Sequence, residues 1–163
     1  MNKPLTFLLS LTFLFLFSGS VYGDDFQDGM DAYKRKDYKT ARRLWVALAE
    51  QGVAEAQYNL GLMYSKGQGV PQDLEASLKW WKLAAEQGDA DAQSDLGVMY
   101  QSGIGVPQDY KEALKWYRLS QDNGMPELGG EIARLEGILK DELEQEDPIF
   151  VTGKEDIQTM INT

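Results

Sequence analysis

The sequence predicts an all-α fold in which helical hairpins stack side by side into a solenoid. Residues 53–88 and 89–124 align without a gap at a period of 36, and 18 of the 36 aligned positions are identical. Periods of this length are typical of repeat architectures. Within each copy, apolar residues recur at three- and four-residue steps, as on one face of a helix. Each copy is therefore predicted to be one pair of antiparallel helices.

The first segment, residues 1–23, is predicted to be a secretory signal. Lys3 precedes a thirteen-residue apolar run from Leu5 to Phe17, and small residues follow the run. The run is shorter than the ~20 residues that span a bilayer, and its flanks are those of a cleavable signal. Cleavage is expected after Gly23 or after Ser20, with an uncleaved anchor as the alternative. We therefore expect an exported protein, periplasmic or secreted, without stable membrane insertion after cleavage.

Residues 24–52 are predicted to form a shorter helical hairpin. They follow the pattern of the later repeats but lack the four-residue insertion in the turn, and Leu44, Trp45 and Leu48 lie in the second helix. This segment resembles a plain tetratricopeptide hairpin. In all three hairpins we expect the tryptophans to serve mainly in packing between helices.

Each full repeat is predicted to contain a first helix, a glycine-rich turn and a second helix. Gly61 and Gly97 lie inside the first helices, where glycine costs about 1 kcal/mol relative to alanine. A glycine repeated there predicts that a neighbouring helix approaches closely. In the turn, Gly67 is expected to end the helix in the left-handed conformation. Asp73 is expected to cap the next helix, and Asp109 with Glu112 forms a capping-box pattern.

Residues 125–146 are predicted to form a terminal helix that caps the solenoid. Five apolar side chains form one stripe along it, and acidic and basic residues fill the rest; a terminal unit of a solenoid needs such a polar outer face. The tail, residues 147–163, is expected either to dock through residues 149–151 or to hang free.

Three motifs identify a family resemblance: Ala56-Gln57-x-x-Leu60-Gly61-x-Met63-Tyr64, Gly67-x-Gly69-Val70-Pro71-Gln72-Asp73 and Trp80-x-x-x-Ala84-Ala85-Glu86-Gln87-Gly88. They resemble the Sel1-like repeat, a relative of the tetratricopeptide repeat with a longer turn. The resemblance implies a right-handed superhelix of antiparallel helix pairs and an adaptor role. Exported bacterial members of the family are linked to envelope assembly or to contact with host cells. This chain departs from the exported cysteine-rich subgroup, which is associated with penicillin binding, since it has no cysteine.

Composition excludes several classes of function. The net charge is −10, and the chain has no His and no Cys, which excludes disulfides, a thiolate nucleophile and any His-containing triad. Nucleic acid is not expected as a partner, because its binding requires clusters of Lys and Arg. No cofactor and no metal site is expected. The acidic residues at 89–95 and 141–147 are interpreted as helix caps and solvated surface.

The candidate binding surface is the inner face of the superhelix. In related helical repeats this face is lined by residues of the first helices that lie off the packing stripe. On this chain these positions are Met30, Tyr58, Leu62, Ser94, Val98 and Gln101. The function predicted is a non-enzymatic adaptor for a protein or peptide partner, with basic segments favoured by the charge. The alternatives are a cell-wall enzyme that hydrolyses glycan or β-lactam, and a secreted factor that binds a host protein.

Overall fold

The computed structural model describes residues 23–146, 159, 161 and 162, and the predicted all-α solenoid is confirmed, since every regular element within them is helical. The elements are α1 (residues 23–34), α2 (Tyr38–Glu50), α3 (Ala54–Lys66), α4 (Leu74–Ala85), α5 (Ala90–Ser102), α6 (Tyr110–Asp122), a 3-10 turn (Pro126–Leu128) and α7 (Gly129–Glu146). The predicted signal segment up to residue 22, and residues 149–151 of the tail, lie outside the described residues. Of the helices described, none is long and apolar enough to cross a membrane.

The helices stack in sequence order. The pairs α3 with α4 and α5 with α6 pack closely as hairpins, and α2 packs on α3 and α4 on α5, so that each hairpin contacts the next. Adjacent Trp80 and Trp81 of α4 show how one helix serves both neighbours. Trp81 is buried in a cluster with Leu96 and Met99 of α5, whereas Trp80 packs against the preceding cluster. The tryptophans therefore act in packing between repeats, as the sequence predicted.

Three glycines allow the helices of a hairpin to approach closely. A Cβ atom at each would lie closer than 3.0 Å to an aromatic ring of the paired helix: Gly29 to Trp45, Gly61 to Trp81 and Gly97 to Tyr117. The close approach predicted from the repeated glycine is confirmed. The partner in each hairpin is the aromatic side chain at the same position of the second helix.

The turns also follow the sequence prediction, with one correction. Gly67 ends α3 in the left-handed conformation with φ 64°, and the Asp73 carboxylate accepts from Ala76 N at 2.9 Å. Asp109 accepts from the backbone N–H of Glu112 at 2.9 Å. The reciprocal hydrogen bond of the capping box, from Glu112 back to the cap, does not form. The Glu112 carboxylate accepts from Lys115 Nζ at 3.0 Å instead.

A pair of buried glutamines, Gln57 and Gln93, joins successive repeats. Each amide donates to a carbonyl oxygen of the preceding hairpin and accepts from an amide side chain further along. Gln57 donates to Ala49 O at 3.0 Å and accepts from Gln87 at 2.7 Å. In the next repeat, Gln93 donates to Ala85 O at 2.9 Å and accepts from Asn123 at 3.0 Å. The glutamine of the repeat motif thus satisfies backbone acceptors at each junction between hairpins.

The C-terminal helix closes the stack. Ile132, Leu135 and Leu139 of α7 are buried against α6, and Ile161 joins the same cluster. The adjacent Asn162 accepts from Arg118 Nη1 at 2.6 Å. Residues 161 and 162 therefore pack on the last helices of the solenoid.

Candidate partner-binding groove

The six residues predicted to bind a partner are not equivalent in the structure. Val98 is 49% exposed. Tyr58 and Leu62 are half-buried and pack against the cluster that contains Trp81. Ser94 is also half-buried, and Met30 packs against the cluster of the first hairpin. Val98 is therefore the one of the six with an open apolar side chain, although Leu62 occupies the same position in the preceding repeat.

Gln101 is held in a network that links α5 to its neighbours. Its amide oxygen accepts from the Tyr117 hydroxyl at 2.6 Å, and its amide nitrogen donates to the Glu131 carboxylate of α7. Arg134 in turn pairs with Glu131 through its guanidinium. Both ends of the Gln101 side chain thus connect helices within the protein.

A groove lies beside Val98, between the end of α3 and α5 with α4 at its base, and it contains a half-open cavity of about 160 Å³. Leu74, Trp81 and Met99 form its apolar part, and Ser65, Asp95, Val98, Ser102 and Ile104 complete its lining. We refer to these eight residues as the α3–α5 groove. Val98 and Ile104 are 49% and 56% exposed, which makes them the most exposed large apolar side chains in the described part of the chain.

The polar groups of the groove are few, and two of them are directed to the backbone. Ser65 Oγ donates to Leu62 O at 3.0 Å, and Ser102 Oγ donates to Val98 O at 2.7 Å. Asp95 is the one charged side chain in the lining of the groove.

The Tyr58 hydroxyl on α3 and the Asp95 carboxyl on α5 lie near each other, and each affects the pKa of the other. The pKa of Asp95 is raised to about 6, mainly by burial and also by the nearby Asp91 carboxylate, whereas Tyr58 and Lys66 act in the opposite direction. Burial and the charge of Asp95 also raise the pKa of the Tyr58 hydroxyl. At neutral pH the groove thus carries a partly buried negative charge.

The geometry offers little for catalysis. The group that meets Asp95 from α3 is a phenol, not the second carboxylate that glycoside hydrolysis requires. Asp89 caps α5 by accepting from Ala92 N at 2.8 Å, as predicted. Among the described residues no group of three acidic side chains could hold a metal ion. The cavity is also smaller than the 300–1,000 Å³ typical of small-molecule sites, and its size suits one side chain of a partner.

A larger cavity of about 370 Å³ lies on α6 beside Ile161. Three of the five charged side chains in its lining have partners within the protein. Lys115 pairs with Glu112, and Arg118 contacts both Glu136, at 2.7 Å, and Asn162. This cavity lies on α6, a second helix, and therefore not on the face formed by the first helices.

Sequence reasoning missed Asp95, Trp81 and Ile104 as parts of the groove. The sequence places Asp95 in an acidic group at a helix start and predicts for Trp81 mainly a packing role. A signal for Asp95 does exist, because the equivalent position in the preceding repeat is Asn59. The charge therefore belongs to one repeat and not to the pattern that both share.

Comparison with known proteins agrees with this architecture. The family model described as Sel1 repeat matches residues 26–53, 54–89 and 90–125. A Sel1 repeat protein from Oxalobacter formigenes is 30% identical with a TM-score of 0.62, over 72% of this chain and 49% of that one. A protective antigen present in uropathogenic Escherichia coli strains, displaying an SLR fold, is 33% identical with a TM-score of 0.61, over 77% of this chain and 26% of that one. The chain thus spans about half the length of the first and a quarter of the second. No curated protein matches the chain.

Proposed function

Because this chain belongs to the Sel1 repeat family, whose solenoids typically mediate protein interactions and are generally non-enzymatic scaffolds, we propose that it is an exported adaptor. It binds a peptide or protein partner on the inner face formed by its first helices. The observation that carries the proposal is the α3–α5 groove, where exposed Val98 and Ile104 border an apolar cavity.

The groove has the features of an anchor site in a protein interface. Binding energy at such interfaces is concentrated in a few side chains that fill well-packed pockets. A cavity of about 160 Å³ with Trp81 and Met99 in its lining offers such a pocket. The rest of a solenoid face then adds modest contacts along an extended partner.

The charge of the chain supports a partner with basic segments. The net charge is −10 at pH 7, and removal of residues 1–23 takes it to −11, because Lys3 is the only charged side chain in that segment. Such a field accelerates the association of basic partners and weakens with added salt.

The binding proposal is tested by capture of a partner from envelope extract of the protein's own cell, at low and at moderate salt. We expect the wild-type protein to retain a stoichiometric partner and Val98→Asp to lose it. Leu119→Asp is the matched control, since Leu119 is an exposed leucine of α6 that is 37% accessible. Capture that survives Val98→Asp in a variant with an unchanged melting temperature would place the binding surface elsewhere.

The export proposal has a separate test. Mass spectrometry of the protein recovered outside the cytoplasm should show a chain that begins at Asp24 or at Val21. A full-length chain that remains with the membrane would favour the uncleaved anchor instead.

A further inference from the structure

We infer that the first hairpin carries a second docking surface, which binds an acidic segment of a partner protein. The surface consists of five exposed cations in the turn between α1 and α2 and on the first half of α2: Arg35, Lys36, Lys39, Arg42 and Arg43. We refer to these five residues as the basic patch. None of them lines the α3–α5 groove, so this inference goes beyond the proposed function and does not depend on it.

The charge of the basic patch is opposite to that of the rest of the chain. Residues 34–43 contain six cations and one carboxylate, a net charge of +5, whereas the whole chain carries −10. The remaining residues therefore sum to −15. A local concentration of positive charge attracts an anionic group and speeds its association, while the acidic surface elsewhere repels it.

The cations of the basic patch are not used inside the protein. Within the described part of the chain, their side chains form no ion pair and no hydrogen bond. Both arginines outside the patch have carboxylate partners, since Arg118 pairs with Glu136 at 2.7 Å and Arg134 pairs with Glu131. The three arginines of the patch thus keep their donors free for a partner.

Local structure disfavours cations at several positions of the patch. Lys36 has φ 63°, a left-handed conformation that residues with a side chain rarely adopt, and glycine ends the first helix in this conformation in the later hairpins, at Gly67 and Gly103. The first turn of α2 holds Lys39 and no acidic residue, whereas the first turns of α3 to α6 each hold an acidic one. A cation there opposes the helix dipole, and Arg43, four residues further on, repels it. Conflicts of this kind with local stability are expected at functional sites.

The distribution of charge favours a short acidic protein segment over other anions. A guanidinium donates two parallel hydrogen bonds to a carboxylate or a phosphate. A short segment contacts the basic patch alone, whereas an anionic membrane or a nucleic acid extends beyond the patch and meets the acidic remainder of the surface. The exposed large apolar side chains of the described residues also lie outside the first hairpin, so that the patch has no such side chain to insert into a bilayer.

The test compares two synthetic peptides, one of alternating Glu and Ser and one with Gln in place of Glu, in fluorescence anisotropy with the purified protein at low and moderate salt. We expect the glutamate peptide to bind about tenfold more tightly at low salt and to weaken as salt is added. Arg42→Gln/Arg43→Gln should remove this preference at an unchanged melting temperature. The control Lys79→Gln/Lys111→Gln removes two exposed cations from the positions of α4 and α6 that correspond to Arg43 and Lys39, and it should bind as wild type does.

Lys36→Gly separates the role of this lysine in binding from its effect on stability. Glycine adopts the left-handed conformation without strain, so the melting temperature should rise by about 2–4 °C. The glutamate peptide should nevertheless bind about threefold more weakly, as the loss of one exposed cation implies. Unchanged binding by this variant would count against the inference.

The other outcomes also decide the question. Equal binding of the two peptides, or a preference that survives Arg42→Gln/Arg43→Gln, would overturn the inference. So would binding of phosphatidylglycerol vesicles or of a single-stranded oligonucleotide through the basic patch when the glutamate peptide does not bind. Self-association that the same double variant abolishes would replace the partner protein with a second copy of this chain and overturn the inference as well. Val98→Asp should bind the glutamate peptide as wild type does, which keeps this test separate from that of the proposed function.

Discussion

Replacing Asp95 with asparagine should stabilise the protein at neutral pH, because it removes a partly buried carboxylate and leaves a side chain of nearly the same shape. What the substitution removes is a charge that burial disfavours. The raised pKa of Asp95 expresses this cost, since it shows that the folded state prefers the protonated form.

The magnitude follows from the difference between the folded and unfolded pKa values of Asp95, about 6 and 3.8. Each pKa unit corresponds to 1.36 kcal/mol, so ionisation at pH 7.5 costs the folded state up to about 3 kcal/mol. The side chain keeps some access to water, and we expect about half of this, roughly 1.5 kcal/mol, as the measured gain. A folded pKa above the unfolded one means that the penalty is fully present above pH 6 and fades as pH falls towards 3.8.

Urea unfolding followed by circular dichroism at pH 7.5 and pH 4.5 measures both the gain and its pH dependence. At pH 4.5 about a third of the gain should remain, because most of the folded carboxyl groups have then taken up a proton. Asp141→Asn, on the exposed surface of α7, should change stability by less than about 0.5 kcal/mol at either pH. A variant that is destabilised at pH 7.5, or whose stability gain is the same at both pH values, would refute the reasoning.

Two further predictions concern packing and repeat junctions. Gly61→Ala should destabilise the fold by about 1–3 kcal/mol in urea unfolding, because the added methyl group overlaps Trp81. In the control Gly137→Ala, a Cβ meets nothing within 4 Å, and the variant should gain up to about 1 kcal/mol in stability. Equal effects of the two substitutions would contradict this account. Gln93→Ala should cost about 1–3 kcal/mol by leaving buried groups unpaired, and an unchanged urea midpoint would show that the junction does not need the amide.

A cost in stability at Asp95 fits a role in binding better than a structural role. Asn59 fills the equivalent position of the preceding repeat, so the fold itself does not require the charge. Residues that lower stability while serving function are common at binding sites. The exposed Val98 and Ile104 beside it extend the same reasoning to the apolar part of the groove.

The sequence by itself determined the repeat period, the positions of the helices and the chemistry of the turns. These features are local or repeated, so they can be read from spacing: Gly67 ends a helix with a positive φ, and Asp73 caps the next. The close approach at Gly61 is predictable for the same reason, since a costly glycine that recurs in a helix needs a steric cause.

Only the tertiary structure decided which of two side chains at equivalent repeat positions is exposed to solvent. Leu62 and Val98 are 36 residues apart and occupy the same position in the repeat, yet Leu62 is half-buried while Val98 is 49% exposed. The difference arises because the neighbours of each side chain come from another hairpin, whose residues the period does not fix. The proximity of Tyr58 and Asp95 has the same origin. It brings together two repeats at positions where their sequences differ.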